Sequence, residues 1–218
     1  MRRVCLIAEG PQPYDAVDAL QRSLHAAIAR HCQDDCVVVV EMEPVYTGGR
    51  RTAPWDVRDP HLNYVPVDRG GRITWHGPGQ VVAYPIIALR EPLDVLAYVH
   101  ALEEAVIATL AHYGLEGTRV SSRSGVWLTP PDRKICAVGV RVARGATLHG
   151  IALNVNNSLA PYRAIVPCGI ADAGVTTMAH ELGYDLDLAD VADHLTNHLA
   201  VALHPLRARR ETPDKEPA

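Results

Sequence analysis

Two neighbouring segments with alternating side chains constrain the fold of this sequence more than any other feature. Residues 134–143 and 147–155 both repeat with the two-residue period of β-strands, and Arg144-Gly145 lies between them. A turn of this length joins adjacent strands that run in opposite directions. The sequence therefore predicts an antiparallel hairpin in the second half of the chain.

One face of the predicted hairpin carries small side chains. Because successive residues of a strand point to opposite faces, Ala137 and Gly139 share one face of the first strand. Gly150, Ala152 and Asn154 share one face of the second strand. Small residues on two adjacent strands leave space for a ligand, although close packing of a helix is an equally ordinary explanation.

Strands and helices follow one another irregularly in the rest of the chain. Helical spacing of apolar residues predicts three helices, which begin near Asp15, at Asp94 and near Leu188, and the second should end at Gly114. Apolar runs predict strands within residues 1–9, 37–40 and 81–89, whereas residues 44–68 have no period and should form an irregular excursion.

The pattern as a whole predicts a single α+β domain over residues 1–205. Its helices should pack on a mixed, largely antiparallel sheet, because some strands are separated by helices and others are not. Residues 206–218 are charged, contain proline and lack an apolar face, so we expect a disordered C-terminal tail.

Composition excludes several classes of partner. With 21 Lys and Arg against 25 Asp and Glu, the net charge of −4 argues against a nucleic-acid binder. The longest apolar helical pattern is interrupted by Glu103 and Glu104, which argues against a membrane-spanning segment. Five cysteines without regular spacing fit a reducing compartment, so we expect a cytoplasmic protein.

A glycine-rich segment and an unusual cysteine are candidates for a functional site. The segment 69–80, Arg-Gly-Gly-Arg-Ile-Thr-Trp-His-Gly-Pro-Gly-Gln, could bring backbone N–H groups against a ligand, but two tight turns would also explain its glycines. Cys168 stands between Pro167 and Gly169, which would expose its sulfur and restrict its position. A single loop cysteine is more often inert than catalytic.

Taken together, these segments resemble the lipoyl(octanoyl) transferase family. The likeness spans residues 44–177 and rests on four blocks: the arginine and glycine block from Arg69 to Tyr84, Lys134 to Gly139, His149 to Asn154, and Pro167 to Gly169. Two positions depart from the family pattern. Gly48 stands where an apolar residue is usual, which suggests a looser substrate loop, and Cys136 places a second thiol beside Lys134.

The resemblance implies the fold of the biotin and lipoate protein ligases, and it implies an acyltransferase. An octanoyl group would pass from acyl carrier protein to a lysine of a lipoyl domain, such as those of 2-oxoacid dehydrogenase complexes and the glycine cleavage H protein. The acyl-thioester residue would be Cys168, activated by Lys134. The implied substrate-binding residues are Arg69, Gly70, Gly71, Arg72, Ile73, Thr74, Trp75, His76, Ala137, Val138, Gly139, Gly150, Ile151 and Ala152.

No cofactor is expected, because a thioester donor already carries the energy needed to form an amide. The nearest alternative is an ATP-dependent lipoate or biotin protein ligase, whose chemistry does not require Cys168 and Lys134. A non-catalytic carrier-binding module would be free to lose both residues. Metal binding by His31, Cys32 and Cys36 lacks a second ligand pair at zinc spacing, so no metal is expected.

Two further expectations concern residues around the site. His76 and His149 could carry protons, but hydrogen bonds that order the substrate loops are the commoner role for such histidines. An acidic carrier protein must dock on local basic residues of this net-negative chain, and Arg50, Arg51 and Arg144 lie in predicted loops.

Overall fold

The computed structural model describes residues 1–166 and 173–208. Its strands are β1 (Arg2–Cys5), β2 (Cys36–Val40), β3 (Val45–Gly48), β4 (Val65–Pro66), β5 (Thr74–His76), β6 (Gln80–Ile86), β7 (Thr118–Val120), β8 (Arg123–Leu128), β9 (Arg133–Ala143), β10 (Ala146–Asn154) and β11 (Gly174–Val175). Its helices are α1 (Tyr14–Ile28), α2 (Val95–His112), α3 (Met178–Leu182) and α4 (Leu188–Leu203).

The main sheet has the order β1-β2-β6-β10-β9-β8-β7, and β11 pairs with β9. The pairs β1 with β2 and β11 with β9 are parallel, whereas the other neighbours are antiparallel. The predicted hairpin is present as β9 and β10, and its turn residues Arg144 and Gly145 both have positive φ. A mixed, largely antiparallel sheet in an α+β fold is thus confirmed.

Helices cover both faces of the main sheet. α2 and α4 pack on one face, with Leu102, Val106, Leu195 and Leu199 buried among sheet residues such as Val126. α1 covers the other face beside β6 and β10 through its own apolar stripe. The apolar periodicity of these helices therefore marks the sides that contact the sheet, as the sequence predicts.

The second predicted helix has the expected ends. The carboxylate of Asp94 accepts a hydrogen bond from the N–H of Ala97, and Gly114 has a φ of +79° just beyond the last turn. By length and composition alone this helix could cross a bilayer, contrary to the argument from Glu103 and Glu104. Its packing against the sheet and α4 accounts for its apolar character, because it is a core helix.

The stretch from residue 44 to 68 is more ordered than its sequence indicates. β3 pairs with β4 in parallel and with β5 in antiparallel fashion, forming a separate three-stranded sheet. The prediction of an irregular excursion is wrong here, because strands of four and two residues are too short to show a period.

The start of the predicted C-terminal tail contacts the domain. The carbonyl of Leu206 accepts a hydrogen bond from the N–H of Arg90, and the N–H of Ala208 donates to the carbonyl of Ala88. The side chain of Arg207 forms an ion pair with Asp35 at 2.5 Å. Residues 209–218 lie outside the described residues, so disorder of the tail stays a prediction for them.

Candidate active site

A cavity of about 500 Å³ lies beside the β9–β10 hairpin. Its volume is within the range of pockets that bind small ligands. It is lined by Arg51, Arg69, Gly70, Gly71, Arg72, Thr74, His76, Tyr84, Val95, Val99, Ser122, Arg123, Ser124, Lys134, Ala137, Val138, Gly139, Val140, His149, Gly150, Ile151 and Ala152. Most of the residues implied by the family resemblance therefore meet at one place, although their contact with a substrate stays a prediction.

The small residues of the hairpin face each other across the two strands. Gly139 pairs with Gly150, and Ala137 pairs with Ala152. A Cβ atom at Gly150 would lie 2.2 Å from the carbonyl oxygen of Ala83, and one at Gly139 would lie 2.8 Å from Cδ of Arg69. Glycine is required at both positions because the neighbouring atoms leave no room for a side chain.

The glycine loop that follows β4 is held against the outer edge of β9. The N–H of Gly70 donates to the carbonyl of Val140 at 2.9 Å. The guanidinium of Arg69, which is 8% exposed, donates through Nη1 to the carbonyls of Gly70 and Arg72, and through Nη2 to the carbonyl of Thr47. Arg69 therefore shapes the loop from within, and its terminal nitrogens are used for that purpose.

Two residues of the glycine block lie away from the cavity. Ile73 and Trp75 are buried in a separate apolar cluster with Tyr162 and Ile165. The ring of Trp75 makes an edge contact with Tyr162 at a centroid distance of 5.8 Å. Their side chains anchor the loop to the domain, whereas alternate residues of the same strand, Thr74 and His76, line the cavity.

Both histidines near the cavity have their ring nitrogens occupied. Nδ1 of His76 lies 2.8 Å from Oε1 of Gln80, and Nε2 lies 3.3 Å from the hydroxyl of Thr47. Nε2 of His149 lies 2.8 Å from the carboxylate of Asp68, and Nδ1 lies 3.3 Å from the amide nitrogen of Gln21. These contacts support positioning roles, because neither ring offers a spare nitrogen to a substrate.

Burial favours the neutral form of both imidazoles. It lowers the pKa of His76 to about 4, although the hydrogen bond with Gln80 acts in the opposite direction. Burial also lowers the pKa of His149, despite the neighbouring carboxylate of Asp68. The pKa of Asp68 itself is lowered well below its usual range, because hydrogen bonds from Arg22 and His149 outweigh its partial burial.

We expect His76 to make the folded state sensitive to mild acid. Its pKa is about 4 when folded, and about 6.5 in an unfolded chain. Between these values the unfolded state binds the extra proton, so the free energy of unfolding should fall as the pH drops from about 6.5 to about 4, by up to about 3 kcal/mol. Urea unfolding of the protein and of His76→Gln across this range measures the effect. Equal pH dependence in both proteins would contradict it.

A β-bulge turns Lys134 toward the cavity. Val126 pairs with Cys136, but Trp127 pairs with Lys134, so one step along β8 matches two steps along β9. Strict alternation would place Lys134 on the same face as Cys136, which is buried among the core residues under α2 and α4. The bulge instead places Lys134 opposite Trp127, with Nζ 5.0 Å from the ring centroid, where it lines the cavity.

Cys168 lies outside the described residues, but the chain on both sides of it is tied to the site. Before it, the N–H of Val166 donates to the carbonyl of Asp56 at 2.7 Å. After it, Val175 pairs with Lys134 in the sheet, and the N–H of Thr176 donates to the carbonyl of Lys134 at 3.0 Å. The backbone of the predicted catalytic lysine is thus bonded to the segment that follows the predicted nucleophile.

The two departures from the family pattern have structural explanations. Cys136 is fully buried in the apolar core and is not among the residues that line the cavity, so it adds no exposed thiol to the site. At Gly48 a Cβ atom would lie 2.5 Å from the ring of Tyr64. The aromatic ring thus fills the space that a side chain would use, and a looser substrate loop stays a prediction.

The cavity also contains residues that the sequence did not indicate. Val95 and Val99 come from the start of α2, Ser122 comes from the turn between β7 and β8, and Arg123 and Ser124 come from the start of β8. The run of polar residues before Gly125 could have indicated Ser122, Arg123 and Ser124. Among the described residues, no group of three or more His, Cys, Asp or Glu side chains could hold a metal ion.

Octanoyltransferases of other organisms are similar to this chain over most of its length. The octanoyltransferase of Thermobifida fusca is 48% identical over 212 residues, covering 94% of this chain and 90% of that protein. The octanoyltransferase of Clavibacter sepedonicus is 50% identical over 208 residues, covering 92% of this chain and 90% of that protein.

Solved structures of ligases share the fold. A lipoate-protein ligase A bound with ATP has a TM-score of 0.69 at 16% identity, covering 98% of this chain and 89% of that one. A biotin protein ligase from Aquifex aeolicus has a TM-score of 0.55 at 15% identity, covering 94% of this chain and 69% of that one. The ligase-like fold expected from the sequence is confirmed. The lipoyl protein ligase A/B catalytic domain matches residues 13–200, and the chain belongs to that family.

Proposed function

We propose that this protein is an octanoyltransferase that moves an octanoyl group from acyl carrier protein to a lysine of a lipoyl domain. Cys168 carries the acyl group as a thioester, and Lys134 accepts and returns protons. The acceptors are the lipoyl domains of 2-oxoacid dehydrogenase complexes and the glycine cleavage H protein. The reaction takes place in the cytoplasm, which suits the free thiols of Cys5, Cys32, Cys36 and Cys136.

The observation that carries this proposal is the placement of Lys134. Lys134 is 6% exposed, yet it lines a cavity whose walls include the small residues of the hairpin and the glycine loop. The small and aliphatic residues among these walls suit an unbranched acyl chain, because they add little bulk. Curated relatives with nearly 50% identity and the name octanoyltransferase support the same activity.

The chemistry requires two exchanges at the acyl carbon. In the first, Lys134 takes the proton of the Cys168 thiol, the thiolate attacks the donor thioester, and the sulfur of the carrier leaves and takes that proton from Lys134. In the second, the amine of the acceptor lysine attacks the acyl-enzyme, an amide forms, and the sulfur of Cys168 leaves. The amine must lose a proton on the way, and Lys134 is the proton acceptor that the cavity offers.

Intact-mass measurement tests the proposal. Incubation with octanoyl carrier protein alone should add one octanoyl group to the enzyme, and addition of a lipoyl domain should remove it and modify one lysine of that domain. ATP with free octanoate serves as the control for ligase chemistry. Modification of the lipoyl domain with ATP and octanoate, but without the carrier, would contradict the proposal.

The sequence suggests that Arg50, Arg51 and Arg144 all dock the acidic carrier. With their positions in the fold known, we predict that Arg51 contributes to docking and that Arg144 does not. Arg51 is exposed at the rim of the cavity, whereas Arg144 lies in the β9–β10 turn with Nη2 3.5 Å from Nδ1 of His25 on α1. Arg51→Glu should raise KM for the carrier about fivefold and weaken its salt dependence. Arg50→Glu, one residue away, should have a smaller effect of the same kind.

The Arg144→Glu variant is the matched control for this docking prediction. It has the same change of charge on an exposed loop arginine, and we expect KM for the carrier to stay within twofold of the original. Steady-state kinetics at low and high salt would measure all three variants. An equal rise in KM for Arg144→Glu and Arg51→Glu would show that overall charge, rather than the cavity rim, governs docking.

A further inference from the structure

Glu103 is a buried carboxylate in a largely apolar helix. It lies in the middle of α2 and is 4% exposed, whereas the side chain of its neighbour Glu104 is 60% exposed. A carboxylate removed from water destabilises the folded state unless hydrogen bonds and opposite charges replace the water. Its burial therefore requires an explanation that the apolar packing of α2 does not give.

The two oxygens of Glu103 contact β8 and the preceding strand β7. Oε1 accepts a hydrogen bond from the backbone N–H of Gly125 at 2.8 Å, and Oε2 accepts one from Nε of Arg119 at 3.1 Å. The same arginine donates through Nη2 to Glu104 at 2.8 Å. Of the two carboxylates that bind Arg119, Glu103 is therefore the one that also holds the backbone of β8.

Gly125 is the residue over which the side chain of Lys134 passes. Its φ of +115° is one that residues with side chains rarely adopt. A Cβ atom there would lie 2.4 Å from the carbonyl oxygen of Cys136, 2.6 Å from Cε of Lys134 and 3.3 Å from its Nζ. The backbone of Gly125 thus forms one wall of a slot for the lysine.

Trp127 completes the slot. The bulge sets Trp127 opposite Lys134, whose Nζ lies over the indole ring. The indole N–H donates to the carbonyl of Arg123 at 3.2 Å, which fixes the ring on its own strand. Lys134 is therefore confined between a glycine backbone and an aromatic face, and a shift of either one would move Nζ.

We propose that Glu103 is a positioning residue for Lys134, acting through the backbone of Gly125. The carboxylate holds Gly125 in its unusual conformation, and this conformation leaves the slot open for the lysine side chain. The inference rests on the proposed role of Lys134 in acyl transfer. A displacement of about 1 Å of a reacting group costs on the order of a hundredfold in rate, so fixing the slot matters for catalysis.

The experiment compares substitutions at the carboxylate and at the slot. Glu103→Ala and Gly125→Ala should each lower kcat for octanoyl transfer by about 30-fold or more with KM for the carrier nearly unchanged. Glu103→Gln keeps an oxygen that can accept from Gly125, so it should restore most of kcat. Glu104→Gln alters the other partner of Arg119, and its kcat should stay within twofold of that of the original protein.

A double-mutant cycle separates positioning from general damage to the fold. If Gly125 acts through Lys134, the variant with both Lys134→Ala and Gly125→Ala should be no slower than Lys134→Ala alone. Circular dichroism and thermal melting establish that each variant is folded at the assay temperature. Gly125→Ala tests the slot even if Glu103→Ala does not fold, because it leaves the buried carboxylate in place.

The outcomes distinguish this inference from the proposed function. If Lys134→Ala transfers octanoyl groups at the normal rate, the proposed role of Lys134 fails. Suppose instead that Lys134→Ala is slow. The positioning role of Glu103 is then overturned if folded Gly125→Ala has a normal kcat. It is also overturned if the loss of kcat in Gly125→Ala simply adds to the loss in Lys134→Ala.

Discussion

Replacement of Cys168 by serine should abolish octanoyl transfer and the covalent acyl-enzyme while leaving the fold unchanged. Serine is close to cysteine in size, but its hydroxyl does not ionise near neutral pH, and the thiolate is the form that attacks the donor. We expect a loss of about a thousandfold or more in transfer rate. Intact mass after incubation with octanoyl carrier protein should show no added acyl group.

The Cys136→Ala variant is the matched control for this nucleophile. Cys136 is fully buried in the core under α2 and α4, with Sγ 3.5 Å from the carbonyl of Ala137. Its removal leaves a small void, so we expect a loss of about 1 kcal/mol in unfolding free energy and nearly normal transfer. An inactive Cys136→Ala together with an active Cys168→Ser would mean that the nucleophile has been assigned to the wrong thiol.

Lys134→Ala should slow both half-reactions, by about a hundredfold in overall transfer. It removes the cation and proton acceptor that lines the cavity, but it keeps the backbone bonds to Val175 and Thr176. The fold should therefore survive the change. Rapid-quench mass measurements would follow formation of the acyl-enzyme and its transfer separately. Normal rates for both steps would remove Lys134 from the mechanism.

Lys134→Arg distinguishes two roles for the lysine. Arginine keeps the positive charge but does not deprotonate in proteins, so it can pair with a thiolate and cannot accept a proton from the incoming amine. We expect Lys134→Arg to form acyl-enzyme and to stall before transfer to the lipoyl domain. Transfer at a normal rate would mean that the lysine acts only through its charge, because arginine supplies that as well.

The hairpin and its small face could be predicted from the sequence because they depend on local properties. Period-2 alternation over nearly ten residues identifies a strand, and the turn residues Arg144 and Gly145 identify the pairing partner. The small residues then fall opposite each other by register, as Gly139 and Gly150 do. Family motifs added the chemistry that the alternation alone did not supply.

The orientation of Lys134 could not be predicted in the same way. Strict alternation assigns it to the face of Cys136, whereas the bulge between β8 and β9 sets it opposite Trp127. A bulge depends on how two strands pair, and the sequence of one strand does not reveal it. The contact between Glu103 and Gly125 was hidden for the same reason, because it joins residues 22 positions apart on different elements.

The glycine pair of the hairpin limits how this enzyme could be re-engineered for larger acyl donors. Directed evolution usually enlarges a pocket by trimming side chains, but Gly139 and Gly150 have none to trim. Bulkier donors would have to be accommodated at the valine walls, such as Val99 on α2 and Val140 on β9. A library focused on those valines should therefore yield altered chain-length preference, whereas one focused on the glycines should yield mainly inactive protein.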